Sequence, residues 1–146
     1  MVNGITVIDD FAHHPTAIAA TLSALEPLAH AAGGRLWAVF EPRSNTVRRR
    51  IFQDQLPESF APADEVLLAP VYQKKDTLAV KDLLDTEAVA STIAKGKGRG
   101  RALKLDEIAK VLVRETQPKD TVVLITLRKV KPWVYPILWT KTGIGP

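Results

Sequence analysis

Short runs of β-branched and other apolar residues alternate along the chain with longer segments of helical periodicity. The first run, Ile5–Ile8, predicts a strand, and a helix is expected from about Pro15 because proline suits the first helical turn. Pro27 should kink or end this helix near Glu26, and Gly33-Gly34 should close the unit. The residues expected to face the core lie three or four positions apart: Ile18, Leu22, Leu25 and Leu28.

The rest of the chain repeats this alternation. One helix is expected to start at a cap on Ser44 or Asn45 and to run toward Pro57. Val71–Leu84 has no clean period and is predicted to be mostly loop. The remaining predicted strands are Leu36–Phe40, Glu65–Ala69, Ala102–Lys104 and Thr121–Thr126, and the remaining helices are Asp85–Ala94 and Asp106–Glu115, the latter capped by Asp106.

Repeated β-α units build a mostly parallel sheet that is covered by helices. We therefore expect an α/β fold, a Rossmann-like domain of three layers. A chain of 146 residues with 46% hydrophobic residues is enough for one such domain with one core. The absence of cysteine means that packing alone must hold the fold, which fits a reducing compartment.

The composition also limits the classes of partner that we expect for the chain. No apolar run approaches the roughly 20 residues needed to cross a bilayer, and the N-terminus does not read as a signal peptide, so no membrane partner is expected and the cytoplasm is the default location. The formal charge of +4 is a modest bias toward anionic partners and does not by itself indicate nucleic acid.

The segment Lys95–Arg101 alternates glycine with basic residues. We interpret it as a solvated surface loop, because flexible glycines separate like charges that repel one another. A phosphate-binding role is the alternative, although the spacing does not match a P-loop.

Acidic residues and histidines follow the first predicted strand. Asp9, Asp10, His13 and His14 fall at the carboxyl end of that strand, where open α/β sheets bind ligands and where the next helix directs its positive end. A carboxylate there accepts both hydroxyls of a ribose, so the group resembles a nucleotide site in outline. The alternatives are that Asp10 merely caps the helix, or that these residues bind a metal. Metal binding is less favoured because adjacent histidines usually point in different directions.

A second group of polar residues follows the second predicted strand. Arg43 and Arg48–Arg50 crowd the start of a predicted helix, where cations are unfavourable unless an anion lies nearby. The planar fork of Arg43 suits a carboxylate, while Ser44, Asn45 and Thr46 supply short polar groups and free helix-terminal amides. The alternative is an exposed basic helix face, which should hold for one or two of the residues in Arg48–Arg50.

The two motifs together resemble a known family. The string DDFAHHPTAI, followed one β-α unit later by FEPRSNTVRRRIFQDQL, is similar to the C-terminal domain of the Mur ligases, and among these most of all to the murein tripeptide ligases. The resemblance covers roughly residues 4–125.

The resemblance implies an ATP-dependent ligase reaction. In the family, ATP phosphorylates the muramyl carboxylate, and the incoming amine attacks the acyl phosphate. The implied substrates are UDP-N-acetylmuramate and the tripeptide L-alanyl-γ-D-glutamyl-meso-diaminopimelate, joined during cell-wall recycling. The UDP-binding domain, the ATPase domain and most Mg²⁺ ligands belong to the family's two preceding domains. No catalytic residue is therefore expected in this domain, and the isolated domain should be inactive.

The resemblance also implies roles for individual residues. Asp10 would hold the ATP ribose, and His13 would lie beside the nucleotide. No residue is expected to bind a metal. The alternative that the residues leave open is a stand-alone nucleotide- or anion-binding module without ligase activity. The residues implied to face the tripeptide or the transferred phosphate are His14, Arg43, Ser44, Asn45, Thr46 and Arg48.

The end of the chain departs from the family. After Ile125 the tripeptide ligases continue with a glycine-rich loop and a helix, whereas this chain reads TLRKVKPWVYPILWTKTGIGP. Its prolines oppose a regular helix. We therefore expect the family domain over residues 1–126 and an irregular tail over residues 127–146. Aromatic residues between lysines in the tail are compatible with single-stranded nucleic acid, but the fold signals do not favour such a partner.

Overall fold

The computed structural model describes residues 4–44, 47–71 and 79–126. In these ranges five parallel strands form one sheet with the order β1-β5-β2-β3-β4. The predicted α/β class with a parallel sheet is confirmed. The strands are Thr6–Asp10 (β1), Leu36–Phe40 (β2), Glu65–Leu68 (β3), Arg99–Ala102 (β4) and Thr121–Ile125 (β5).

Helices cover both faces of the sheet. Residues of α1, α2 and α3 share a core with one face, and α4 packs against the other, which gives the predicted three layers. No helix in the described ranges is long and apolar enough to cross a membrane. The helices are Pro15–Ala31 (α1), Leu56–Ser59 (α2), Thr86–Ala94 (α3) and Leu105–Glu115 (α4), with short 3₁₀ helices at Arg50–Phe52 and Val80–Asp82.

Strand β2 lies at the centre of the sheet and is buried along its whole length. Trp37 and Val39 belong to the core on the α4 side, and Ala38 and Phe40 to the core on the α1 side. A strand that is covered on both faces needs apolar residues at every position, because successive side chains point to opposite faces. The prediction of a strand at Leu36–Phe40 was therefore right.

The register of β5 brings the carboxyl ends of three strands to the same level. Although β5 is last in the described chain, it lies between β1 and β2, and Ile125 pairs with Asp10 on one side and with Phe40 on the other. The carboxyl ends of these three strands are therefore level. The residues that follow them, including Glu41 and Thr126, meet at one edge of the sheet, which we call the carboxyl edge.

Helix α1 continues through Pro27 to Ala31, so of the two outcomes predicted for Pro27, a kink or an end, the end near Glu26 is wrong. Pro27 is exposed, and beyond it Ala29 is buried while its carbonyl accepts a hydrogen bond from Gly34 N at 3.0 Å. The packing of Ala29 and this hydrogen bond at the end of the helix offset the loss of the backbone hydrogen bond that Pro27, which has no N–H, cannot donate. Leu28 is 68% exposed, and its predicted place in the core is wrong.

The single helix predicted from Ser44 toward Pro57 is also wrong. Ser44 Oγ does accept a bond from Val47 N at 3.1 Å, as a cap does. The backbone then becomes extended at Arg49, which forms an antiparallel bridge with Leu83. Because this pairing uses the backbone of Arg49, the helical conformation stops, and a 3₁₀ turn and the short α2 follow.

Strand β4 occupies part of the segment that was predicted to be a solvated loop. Lys95–Lys97 is exposed, as predicted, but Arg99–Ala102 is a strand, and the strand predicted at Ala102–Lys104 is misplaced. A Cβ atom on Gly100 would lie 2.6 Å from the Ala90 carbonyl oxygen. This glycine therefore serves close packing against α3 rather than flexibility.

Other boundaries shift by a few residues. Strand β1 extends two residues beyond Ile8, and α3 is capped by Asp85, whose Oδ1 accepts from Ala88 N at 3.1 Å. Helix α4 starts before Asp106, because Glu107 Oε2 accepts from Lys104 N at 3.2 Å, so Asp106 is not its cap. Residues 72–78 of the predicted loop and the whole predicted tail, residues 127–146, lie outside the described residues.

Candidate functional site

Asp10 ends β1 at the carboxyl edge. Its Oδ1 accepts a hydrogen bond from Ala12 N at 3.0 Å, whereas its Oδ2 is buried and has no hydrogen-bond partner among the described residues. Asp10 does not cap α1, so the structural alternative considered for it is wrong. A buried carboxylate oxygen without a donor costs free energy, and a ligand hydroxyl at this position would remove that cost.

His14 is the residue that caps α1. Its backbone is extended, and its Nδ1 accepts a bond from Thr16 N at 3.2 Å, with Pro15 in the first helical turn. The ring also meets Phe52 edge-on, with centroids 5.1 Å apart. Since Nδ1 is the acceptor, the proton of the neutral ring is on Nε2, which leaves His14 an exposed hydrogen-bond donor.

His13 has the opposite tautomer. Its Nδ1 lies 3.3 Å from the Phe11 carbonyl oxygen, which only accepts, so the proton is on Nδ1 and Nε2 is an acceptor in the neutral ring. The two histidines therefore offer different chemistry at the same loop. Asp9 and Asp10 lie on opposite faces of β1, because successive strand residues point to opposite faces.

The described residues do not include a group of three or more His, Asp or Glu side chains that could hold a metal ion. His30 lies far from the carboxyl edge. Its Nε2 is 2.8 Å from Asp64 Oδ2. Asp64 precedes β3 and so lies at the amino end of the sheet. We assign no metal ligands in this part of the chain.

Glu41 is a member of the carboxyl edge that the sequence motifs contained but that we did not select as a site residue. It follows β2 and is only 4% exposed. Its Oε1 accepts from Thr126 Oγ1 at 2.9 Å and lies 3.8 Å from Arg43 Nη1. The signal that could have revealed it is the one that revealed Asp10, an acidic residue directly after an apolar strand.

The structure separates the arginines of the second motif. Arg48 is buried, at 2% exposure, while Arg49 and Arg50 are exposed, so the basic-face interpretation holds for the latter two. Arg43 is largely buried, and Ser44 uses its hydroxyl in the turn described above. The predicted site residues Asn45 and Thr46 lie outside the described residues.

Thr126 connects the two groups of residues at this edge. Its backbone N–H donates to the Asp10 carbonyl oxygen at 3.2 Å, and its hydroxyl donates to Glu41. Glu41 N in turn donates to the Ile125 carbonyl oxygen at 3.1 Å. The strand ends that carry Asp10 and Glu41 are thus joined by hydrogen bonds through Thr126 and Ile125, and Arg43 is linked to them by its ion pair with Glu41.

Comparison with known proteins assigns the chain to a family. A model described as Mur ligase, glutamate ligase domain, matches residues 1–126. The UDP-N-acetylmuramate–L-alanyl-γ-D-glutamyl-meso-2,6-diaminoheptandioate ligase of Escherichia coli is 39% identical over 127 residues, which is 85% of this chain and 25% of that protein. A UDP-N-acetylmuramate–L-alanine ligase of Clostridium botulinum is 34% identical over 129 residues, 84% of this chain and 26% of that protein.

Similar solved structures agree with this family assignment. A murein peptide ligase from Psychrobacter arcticus covers 99% of this chain with a TM-score of 0.73 and 30% identity, and the match takes up 29% of that protein. A crystallised domain from Haemophilus ducreyi, named after a UDP-N-acetylmuramate:L-alanyl-γ-D-glutamyl-meso-diaminopimelate ligase, covers 97% of this chain and 94% of its own length, with a TM-score of 0.67 and 26% identity.

The chain spans about a quarter of the length of the curated ligases that it matches. The match over residues 1–126, together with these relatives, confirms the resemblance that the two motifs suggested. The chain therefore belongs to the Mur ligase family and corresponds to the C-terminal domain of its members.

Proposed function

We propose that this chain is the C-terminal domain of an ATP-dependent ligase that joins a murein tripeptide to UDP-N-acetylmuramate in peptidoglycan recycling. The observation that carries the proposal is the carboxyl edge, where Asp10 Oδ2 is buried without a donor from the described part of the chain and Arg43 lies beside Glu41. The 39% identity to a ligase that is named for this tripeptide supports the choice of substrate. In the assembled enzyme the domain would close over ATP and the incoming peptide.

Asp10 and His13 form the nucleotide side of the proposed site. Asp10 fits a ribose, because no described residue donates to its Oδ2 and two neighbouring ribose hydroxyls supply donors for a carboxylate. His13 Nε2 accepts in the neutral ring, so it suits a hydroxyl or an exocyclic amine of the nucleotide. The N-terminus of α1 follows directly and adds positive potential for phosphate.

Arg43 and His14 form the peptide side, together with the buried Arg48. The guanidinium of Arg43 pairs with a peptide carboxylate through its planar fork, and His14 Nε2 donates to an anionic oxygen of the peptide or of the transferred phosphate. Ser44 stabilises the turn next to Arg43 by accepting a hydrogen bond from Val47 N. Asn45 and Thr46 are proposed to contact the substrate.

The chemistry comes from ATP, which activates the muramyl carboxylate as an acyl phosphate for attack by the peptide amine. The residues of this domain bind and orient the two partners, and positioning of this kind lowers the barrier without a protein nucleophile. UDP-N-acetylmuramate, the ATPase machinery and most Mg²⁺ ligands are assigned to preceding domains. ATP and UDP-linked substrates place the reaction in the cytoplasm, and no membrane or nucleic-acid partner is part of the proposal.

A second candidate substrate has support of its own. The relatives include UDP-N-acetylmuramate–L-alanine ligases at 34% identity, in which the incoming molecule is a single amino acid. Tripeptide and L-alanine both carry an α-carboxylate and an amine, so Arg43 would suit either. The tripeptide is preferred because of the higher identity of its ligase, and competition between the two ligands separates the candidates.

The test is titration of the 146-residue chain, followed by amide NMR shifts. The crystallised domain of Haemophilus ducreyi shows that such a domain is obtained as a separate protein. ATP should perturb residues around Asp10, and the tripeptide should perturb residues around Arg43. Asp10→Ala should weaken ATP binding and spare the tripeptide, whereas Arg43→Ala should do the reverse. Asp54→Ala and Arg49→Ala, which change exposed residues of the same types, serve as controls.

Two outcomes would contradict the proposal. Unchanged affinities in both Asp10→Ala and Arg43→Ala would remove the assigned roles. Binding of ATP without any response to tripeptide or L-alanine would favour the stand-alone nucleotide-binding module instead. Tighter binding of L-alanine than of tripeptide would move the assignment to the alanine ligases.

A further inference from the structure

Glu41 is a buried carboxylate whose contacts lead to Arg43. Its Oε1 accepts the Thr126 hydroxyl at 2.9 Å, and the same oxygen lies 3.8 Å from Arg43 Nη1. Glu41 and Thr126 are 4% and 3% exposed, while the side chain of Arg43 keeps 22% of its surface exposed. A charged group is rarely this buried without a structural or functional reason.

The backbone around Glu41 is fixed from both sides. Glu41 N continues the ladder of β2 by donating to the Ile125 carbonyl oxygen, and Thr126 N donates to the Asp10 carbonyl oxygen. The carboxylate therefore stands on the most rigid part of the carboxyl edge. Arg43 follows two residues later in a loop, and a long side chain on a loop loses conformational entropy when a ligand orders it.

We propose that Glu41 is a positioning residue, which holds the Arg43 guanidinium in its binding orientation, and that Thr126 holds Glu41. The proposal rests on the proposed function, because it takes Arg43 to bind the carboxylate of the incoming peptide. A guanidinium is planar and rigid, so a contact at one of its nitrogens limits the orientations that its other donors can take. An arginine that is already oriented loses less freedom on binding.

Positioning and simple electrostatics predict opposite results for one substitution. Glu41→Gln keeps an oxygen that accepts from Thr126 but removes the negative charge beside Arg43. If Glu41 served only to neutralise Arg43, its loss would raise the local positive potential and strengthen binding of an anionic ligand. If Glu41 positions Arg43, the same change removes one contact that orients the guanidinium and weakens binding.

The experiment uses the 146-residue chain with L-alanyl-γ-D-glutamyl-meso-diaminopimelate as the ligand. We expect Glu41→Gln to weaken tripeptide binding by about three- to tenfold, the range expected when one side chain must be ordered on binding. ATP binding should stay unchanged. The Arg43 Nε–H resonance should shift and sharpen toward that of a mobile arginine, a change that a general loss of stability does not produce. Glu87→Gln, at an exposed glutamate, changes the net charge equally and serves as the control.

Thr126 supplies a second pair of variants, for the case in which Glu41→Gln does not fold. Thr126→Val removes the hydroxyl at nearly constant volume, and Thr126→Ser keeps it. We expect Thr126→Val to weaken tripeptide binding in the same direction, but less than Glu41→Gln does, and Thr126→Ser to restore most of the affinity. Equal effects of valine and serine would mean that the hydroxyl bond to Glu41 is irrelevant, which would overturn this step.

Failure of the inference is distinguishable from failure of the proposed function. If the wild-type chain binds tripeptide, and Arg43→Ala abolishes binding while Glu41→Gln leaves it unchanged or tightens it, the positioning role is overturned and the proposed function stands. If neither the wild type nor any variant responds to tripeptide, the proposed function fails, and the positioning role fails with it.

Discussion

At the amino end of the sheet the Asp120 carboxylate accepts four hydrogen bonds, whereas the Asp10 carboxylate at the carboxyl edge accepts one from the described residues. The donors to Asp120 are Arg35, through its backbone N–H and its guanidinium, Trp37 Nε1 and Gln117 N. Both aspartates are attached to parallel strands of the same sheet. The comparison separates an end of the sheet where polar groups satisfy one another from the end where the ligand site is proposed.

Charged groups at the amino end mainly satisfy one another. Glu65 is 5% exposed and lies between Arg35, Arg99 and Arg101, at distances of 3.7, 3.7 and 3.2 Å. Glu115 pairs with Arg101 at 2.9 Å and so ties α4 to β4. Both terminal nitrogens of Arg101 are engaged, although its Nε is buried without a partner. This end therefore has little capacity left for a ligand.

Charged and polar groups at the carboxyl edge still have atoms available to bind a ligand. Asp10 Oδ2 lacks a donor among the described residues, and His13 and His14 are exposed with one ring nitrogen each left for other contacts. The positive end of α1 lies at the same edge. Substitutions at the amino end should hence reduce stability, and substitutions at the carboxyl edge should reduce binding.

The largest effect is expected from Asp120→Asn. An amide keeps one accepting oxygen and replaces the other with a donor. Whichever way it turns, it therefore faces at least one of the present donors with an N–H, and the bonds that remain lose the charge of the acceptor. Hydrogen bonds to a charged group are worth about 1.5–3 kcal/mol and those between neutral groups about 0.5–1.5 kcal/mol, so weakening four of them should cost about 3–5 kcal/mol of unfolding free energy. Urea denaturation measures the loss. Asp54→Asn, at an exposed aspartate, should change stability by less than about 0.5 kcal/mol.

Gly34→Ala should have the next largest effect. A Cβ atom at Gly34 would lie 1.8 Å from the Lys119 carbonyl oxygen, a backbone atom that moves only if the turn before β5 moves. Overpacking of this kind costs about 1–3 kcal/mol, and backbone overlap places this case at the upper limit. Thermal unfolding checks it. Gly96→Ala, whose nearest contact would be at 3.6 Å, is the control, and an equal loss in both would contradict the packing argument.

Glu115 provides a pH-dependent test of the amino end. The hydrogen bond from Arg101, assisted by Arg114, holds the pKa of Glu115 below its ordinary value of 4.5, although burial acts in the other direction. The unfolded chain then binds a proton more readily than the folded one. The stabilising contribution is therefore present above about pH 4.5 and is lost as the pH falls through the lowered pKa.

Glu115→Gln should remove this contribution. The variant should be less stable than the wild type near neutral pH, and the difference should shrink as the solution becomes acidic. Urea unfolding at a series of pH values measures both quantities. A constant difference across the series would mean that Glu115 acts through packing and not through its charge. Glu87→Gln, at an exposed glutamate, should give a small difference at every pH.

The contrast between the two ends also explains what the sequence could predict of the fold. Leu36–Phe40 was predictable because both faces of β2 are covered and every residue must be apolar. Gly100 was not, because a glycine between arginines has the composition of a flexible loop. Its role depends on the approach of Ala90 in α3, a contact between elements that local pattern does not contain.

The same distinction applies to the site. Asp10 was selected from one rule, an acidic residue at the end of an apolar strand. Glu41 satisfies the same rule after β2, but its burial depends on the insertion of β5 between β1 and β2, and its partner Thr126 is 85 residues away. His14 as the cap of α1 was missed because imidazole is an uncommon cap, and Asp10 was the more usual choice.

The smallest change in stability is expected from Asp10→Asn, the same chemical change as at Asp120. Asparagine keeps an oxygen for Ala12 N, and the oxygen that it replaces has no donor among the described residues to lose. Only the favourable charge at the start of α1 is removed, so urea denaturation should show a loss below about 1 kcal/mol. ATP binding should nevertheless weaken, because an amide donates where a ribose hydroxyl needs an acceptor. A loss as large as that of Asp120→Asn would mean that the carboxyl edge is a structural network too, and the division between the two ends would fail.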